Sequence, residues 1–314
     1  MFSPGIDRFI YLTTCRVTTS IAAIPRNTVD RRNGRYAVTR IIAIGNQKGG
    51  VGKTSTTLGL AAAGRAAGAR TLVIDLDPQA NATDVLAGVL GEDYLGSYGL
   101  LADAKRGGGV ALSEVIQPAG SAWSGVDLVG AIDALSDVDT DTGPTQPLRL
   151  QRAMNSATGL LAERYDLVLL DCPPSLGRVL IAALVAATDV VIVTEPGGHA
   201  LRGVGRLEES MTEVREGFGQ PHPTLLGIIL NRVKRASEHA YRDAELREAY
   251  GELVFAGGIP ERIAVADAAS SGRPVHDLPG EGALAVSSVL NGIWTQLQQR
   301  ITTTEASTER AHQS

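Results

Sequence analysis

The chain has 314 residues, 44% of them hydrophobic and 20% charged, with a net charge of −5. That length suits one large α/β domain or two small ones, and the composition is that of an ordinary globular protein. No apolar stretch approaches the roughly 20 residues that span a bilayer. Two cysteines, Cys15 and Cys172, lack ligand-like spacing, which argues against disulfides and cysteine metal sites and for a reducing cytoplasm.

Charge is unevenly spread. Residues 1–40 hold seven arginines (Arg8, Arg16, Arg26, Arg31, Arg32, Arg35, Arg40) against Asp7 and Asp30, a balance of +5 that leaves −10 on the rest. An acidic body does not suit indiscriminate nucleic-acid binding, so any such contact needs a local basic patch. Residues 1–38 lack periodicity, and FIYLTTCRVTTSIAAI is interrupted by Arg16 and lacks the order of a secretory signal. This segment reads as a disordered basic arm or as the product of an upstream start codon, and it is too short for a winged-helix domain.

The stretch RIIAIGNQKGGVGKTSTT, residues 40–57, organises the rest of the chain. Ile41 to Ile44 form the kind of apolar run that fits a strand buried on both faces. Gly49, Gly50, Val51 and Gly52 then let backbone N–H groups curl around a phosphate chain, and the next helix presents its positive end. Lys53 is placed to reach outer phosphates and the Thr54 hydroxyl to ligate Mg²⁺, with Ser55 beside them. The loop departs from the general pattern: Gln47 stands where a glycine belongs, and an additional lysine, Lys48, opens it.

The pattern then predicts a helix from Thr54 to Ala67, a buried strand from Thr71 to Ile74 ending in Asp75 and Asp77, and loops with short helices over Gly91–Gly125. Further strands are expected at 126–131, 167–170, 189–196, 224–232 and 253–260, with helices at 147–163, 177–187, 200–216 and 238–250. Such alternation means right-handed βαβ units: an α/β fold with a mostly parallel, doubly wound sheet flanked by helices. Ligands bind beyond the strand C-termini in these sheets, which gathers Lys53, Asp77, Asp171 and Asn231 around one crevice. From Glu281 to Ile301, apolar residues at helical spacing predict a helix docked on the sheet rather than on a membrane. The polar tail 302–314 is expected to be disordered. The nucleotide-binding domain is therefore expected over 39–301.

Strand-end aspartates often serve only as caps or turn formers. Beside a phosphate cradle they take on other tasks: Asp171, closing LVLLD, is placed to support a metal through water, and Asp77 to orient a hydrolytic water.

KGGVGKTSTTLGLA, VIDLDPQANAT, YDLVLLDCPPSLG, TEPGGHALRGVGRL and IPERIAVADAASSGRPV, in that order over about residues 40–300, resemble the ParA/Soj family of chromosome and plasmid partition ATPases. The resemblance implies a P-loop NTPase of the deviant Walker A type, with ATP and Mg²⁺ as cofactors and weak, partner-stimulated ATPase activity. It implies an ATP-bound homodimer that binds DNA non-specifically, release stimulated by a ParB-type centromere-binding protein, and a cytoplasmic, nucleoid-associated location without membrane attachment. By position, Lys48 would act in trans on the partner's nucleotide, Lys53 would contact the β- and γ-phosphates, and Asn231 with Arg232 would contact adenine. Pro260, Glu261 and Arg262 match the second adenine-side loop. Basic residues usually follow IP in such proteins, and Glu261 breaks that run. Candidate DNA contacts remain at Arg232, Lys234, Arg235, Arg242, Arg247, Arg262 and Arg273.

Relatives with other outputs fit poorly. An iron-protein electron donor needs cluster-holding cysteines, a membrane-attached division regulator needs a basic amphipathic C-terminal helix, and a bacterial tyrosine kinase needs a terminal tyrosine cluster. A DNA-partition ATPase and a positioning switch for a non-DNA protein cargo both remain open.

Overall fold

The computed structural model describes residues 39–313, and for 304–313 the backbone only. The basic extension 1–38 lies outside the described residues. The strands are β1 (Arg40–Gly45), β2 (Thr71–Asp75), β3 (Gln117–Pro118), β4 (Val126–Val129), β5 (Leu167–Asp171), β6 (Asp189–Thr194) and β7 (Thr224–Leu230). The helices are α1 (Lys53–Ala66), α2 (Asn81–Leu86), α3 (Gly96–Leu101), α4 (Leu112–Val115), α5 (Arg149–Ser156), α6 (Thr158–Arg164), α7 (Arg178–Ala186), α8 (Ala200–Phe218), α9 (Ser237–Tyr250), α10 (Ile263–Ser270) and α11 (Glu281–Gln313). The strands form one seven-stranded sheet ordered β3-β4-β2-β5-β1-β6-β7, parallel except for the short antiparallel edge strand β3. This is the α/β P-loop architecture.

Period-two alternation on β1 divides the core. Ile41 and Ala43 face one layer with α5, α7 and α8, whereas Ile42 and Ile44 face the other with α1, α10 and α11. Both faces are buried, so the central strands are apolar throughout rather than alternating. Helix α11 lies along α1, where a Cβ at Gly59 would stand 2.7 Å from the Leu290 side chain. Its apolar face, from Ala283 through Val286, Leu290 and Ile293 to Leu297, is buried, so it docks on the domain as its spacing predicts.

Several boundaries differ from the sequence reading. Residues 253–260 form no strand; they follow the edge of β7 through isolated bridges at Val254 and Pro260, because Gly257 turns at φ 80° and Pro260 has no N–H to give. Strand β7 stops at Leu230, because Arg232 adopts a left-handed backbone at φ 55°. The helix expected over 147–163 is broken at Ala157 into α5 and α6. Helix α11 continues to Gln313 through the stretch read as a disordered tail. Among the described residues, no helix is long and apolar enough to cross a membrane.

Candidate nucleotide site

The site sits beyond the C-terminal ends of β1, β2 and β5. The loop between β1 and α1 turns through Gly50 (φ 77°) and Gly52 (φ 87°), and Gly52 caps α1 in the left-handed conformation. Only glycine fits there, because an added Cβ would stand 1.9 Å from Asn231 Nδ2. Val51 is fully buried and anchors the loop, while Gly49 and Lys48 are exposed at its rim. Two buried amides brace the loop from outside. Asn46 donates to the Val193 carbonyl (2.7 Å) and accepts from Lys48 N–H (2.9 Å). Asn231 donates to the carbonyls of Val51 (2.9 Å) and Gly52 (3.3 Å).

Lys53 opens α1 and is 6% exposed. Burial lowers its pKa, opposed chiefly by the neighbouring Asp171 carboxyl. Asp171 ends β5 at zero exposure and accepts from Thr57 Oγ1 at 2.9 Å. Burial and the neighbouring Asp75 raise its carboxyl well above the usual carboxylate range, against the lowering effect of Thr54, Thr57 and Lys53. Its other oxygen, Oδ2, is buried without a hydrogen-bond partner. Such an oxygen is costly unless something else satisfies it.

Asp75 and Asp171 face each other across adjacent strands, yet they do different work. Asp75 accepts from Asp77 N–H (3.0 Å) and from Thr83 N–H (2.8 Å) and Oγ1 (2.7 Å). Burial raises its pKa too, opposed by those hydrogen bonds. Its oxygens are committed to holding the β2–α2 turn. Asp77, 8% exposed, is the residue that this turn presents.

Magnesium fits this donor set. One buried carboxylate oxygen without a partner, next to the Thr54 hydroxyl, is the hard-oxygen environment Mg²⁺ prefers. No cluster of three or more His, Cys, Asp or Glu side chains forms a metal cage among the described residues. Magnesium does not need one, since it is commonly held by one or two carboxylates with phosphates and water.

A cleft of about 680 Å³ opens between this loop and the segment before α10. Gly50, Gly52, Thr54, Ser55, Asn231, Arg232, Pro260, Glu261 and Arg262 all line it. The two base-side segments named from the sequence therefore meet the phosphate loop in one cavity. Arg232 also donates from Nη1 to the Gly50 carbonyl at 3.0 Å. Sequence reading did not single out Asn46, Thr57 or Thr83. The signal was present for Asn46, a polar residue directly closing an apolar strand.

Most of the cations suggested for DNA contact are paired, while Arg235 is exposed. Arg232 and Lys234 both pair with Glu261, Arg242 with Glu245, and Arg247 with Asp243. Arg262 donates to the Glu261 carbonyl and Arg273 to that of Asp277.

Strand, glycine loop, buried lysine, helix N-terminus and strand-end carboxylates define a P-loop nucleoside-triphosphate-binding protein. The family model described as "AAA domain" matches residues 39–221, more than half of the chain. The chromosome-partitioning ATPase Soj of Thermus thermophilus is 37% identical over 84% of this chain and 98% of its own length. The sporulation initiation inhibitor protein Soj of Bacillus subtilis is 30% identical, covering 79% and 94%. A crystal structure of cobyrinic acid a,c-diamide synthase from Mycobacterium smegmatis, with an ATP analogue and magnesium, superposes with a TM-score of 0.64 at 28% identity, over 81% of this chain and 93% of that one. The chain belongs to the ParA/Soj-type partition ATPases.

Proposed function

We propose that this protein is an ATP-dependent dimerising switch that segregates or positions DNA. The observation that carries the reading is that Asp171 and Asp77 act on Lys53, and Thr54 on Asp171, at the phosphate loop, while Thr54, Asn231, Arg232 and Pro260 line one cleft beside it.

Lys53 neutralises the β- and γ-phosphates, and the N–H groups of residues 49–55 line the phosphate path. Thr54 and Asp171 would hold Mg²⁺, which would offset charge on the transferred phosphoryl group. Asp77 orients the attacking water, and Asp75 keeps the turn that carries it. Asn231 and Arg232, with Pro260, Glu261 and Arg262, enclose the base. Lys48, exposed at the rim, reaches the nucleotide of a second copy in the dimer. Among the described residues no strong general base stands beside the loop, so turnover by the chain alone is slow and a ParB-type partner accelerates it. Arg235 and the paired cations around it are the candidates for phosphate-backbone contact, on a nucleoid-associated protein without membrane attachment.

A positioning switch for a non-DNA protein cargo is the second reading. The pairing of Arg232, Lys234, Arg242 and Arg247 with carboxylates favours it. Binding of the Mg·ATP-loaded protein to random-sequence duplex DNA tests the two. Affinity that falls steeply with salt and disappears with ADP supports partition. No binding at modest salt, with the ATP dimer formed, overturns it in favour of the second reading.

A further inference from the structure

Glu261 occupies a particular place in the cleft. The backbone ties its segment to the one after β7: Val233 N–H donates to the Ile259 carbonyl at 2.9 Å and Glu261 N–H to the Val233 carbonyl at 3.1 Å. Residues 232 and 234 flank Val233, and the left-handed turn at Arg232 (φ 55°) leaves both of their side chains within reach of Glu261. The carboxylate is thereby offered two cations at once. Oε1 meets Arg232 Nη2 at 3.1 Å, and Oε2 meets Lys234 Nζ at 3.4 Å. These two cations hold the Glu261 carboxyl below the usual carboxylate range.

The same arginine reaches the other wall. Its Nη1 bonds the Gly50 carbonyl, so one guanidinium spans from the phosphate loop to Glu261. Gly50, Arg232 and Glu261 all line the nucleotide cleft. A triphosphate seating on that loop brings several negative charges to the end of the span that Arg232 holds. An ion pair this exposed is weak enough to exchange partners.

We propose that Glu261 is an internal counter-anion that masks Arg232 and Lys234 and gives them up when nucleotide seats against Gly50, coupling the phosphate loop to a polyanion-binding lip. This rests on the proposed DNA-partition function, whose regulation it specifies. Glu261 would then act as a gate on affinity rather than as a simple loss of positive charge.

The test is Glu261→Gln on the full chain, with binding to random-sequence duplex DNA measured from 50 to 200 mM salt, without nucleotide and with Mg·ATP. Each additional phosphate contact adds roughly 0.9 to the slope of log affinity against log salt. Two released cations should make the variant lose about tenfold more affinity than the wild type over that range when no nucleotide is present. With Mg·ATP the difference should collapse, because in both proteins the nucleotide has then drawn Arg232 away from position 261 and Lys234 is free of its carboxylate. Adding Lys234→Gln to the variant should remove about half of the extra slope.

A nucleotide-free variant indistinguishable from wild type overturns the mask, and so does an equal gain in both nucleotide states. If the wild type with Mg·ATP binds no DNA, the partition reading fails by itself. That result also overturns the nucleotide-driven release, and the nucleotide-free comparison then decides only whether Glu261 masks the two cations. Glu261 is exposed, so matching thermal melts of variant and wild type will show that the fold is retained.

Discussion

Gly52→Ala should damage the phosphate loop by an amount that can be worked out in advance. At φ 87° an alanine pays the left-handed penalty of about 1 kcal/mol. Its Cβ would stand 1.9 Å from Asn231 Nδ2, so that amide must move and lose its bonds to Val51 and Gly52. Those bonds contribute about 1 kcal/mol each, for a total near 3 kcal/mol. Asn231→Ala alone loses the same two bonds, about 2 kcal/mol. The double variant should therefore cost about 3 kcal/mol rather than the additive value of about 5, since the amide is lost only once. Urea unfolding of the four proteins measures all of these. A Gly52→Ala cost below about 1 kcal/mol, or simple additivity, would refute the reasoning that Asn231 and Gly52 form one packed unit.

Three further outcomes are expected. Lys53→Ala should abolish nucleotide binding in a fluorescent-ATP titration, because the phosphate charge is left uncompensated in a buried loop; retained affinity would remove Lys53 from the site. Asp77→Ala should still bind ATP yet hydrolyse it slowly and accumulate as a dimer, whereas Asp75→Ala should chiefly lower the melting temperature, having lost three hydrogen bonds. Normal turnover in Asp77→Ala would show that another group positions the water. Stability should also depend on pH in a stated direction. The carboxyls of Asp171 and Asp75 are raised by burial, so between about pH 4 and neutrality the folded chain holds protons that the unfolded chain has lost. Stability contributed by these groups then falls as pH rises through that window. Asp171→Asn should flatten the slope in denaturant titrations without nucleotide, and an unchanged slope would assign it elsewhere.

Much of the molecule was legible in the chain because its central strands are buried on both faces. Ile41–Ile44, Leu72–Ile74 and Leu167–Leu170 are unbroken apolar runs, as burial on two sides favours. The phosphate loop was equally legible, since its glycines, lysine and hydroxyl lie within a few residues and their spacing is the chemistry. The two-residue edge strand β3 left no pattern to detect, and residues 253–260 look like a strand whose ladder Gly257 and Pro260 prevent. The far end of α11 is polar enough to read as a tail, yet its backbone continues the helix.

By itself, the order of residues determined the fold class, the cradle and which aspartates end which strands, because all of these are local. Only the tertiary structure decided how they share the work. Asp75 and Asp171 become neighbours through strand pairing, and Thr83 with the Asp77 N–H takes the oxygens of one while Oδ2 of the other stays unpartnered. Asn231 reaches Val51 across 180 positions of sequence. Glu261 looked like a gap in a basic run, and the fold makes it the partner of Arg232 and Lys234. Pairings of this kind arise from chain closure over long separations, which no local spacing encodes.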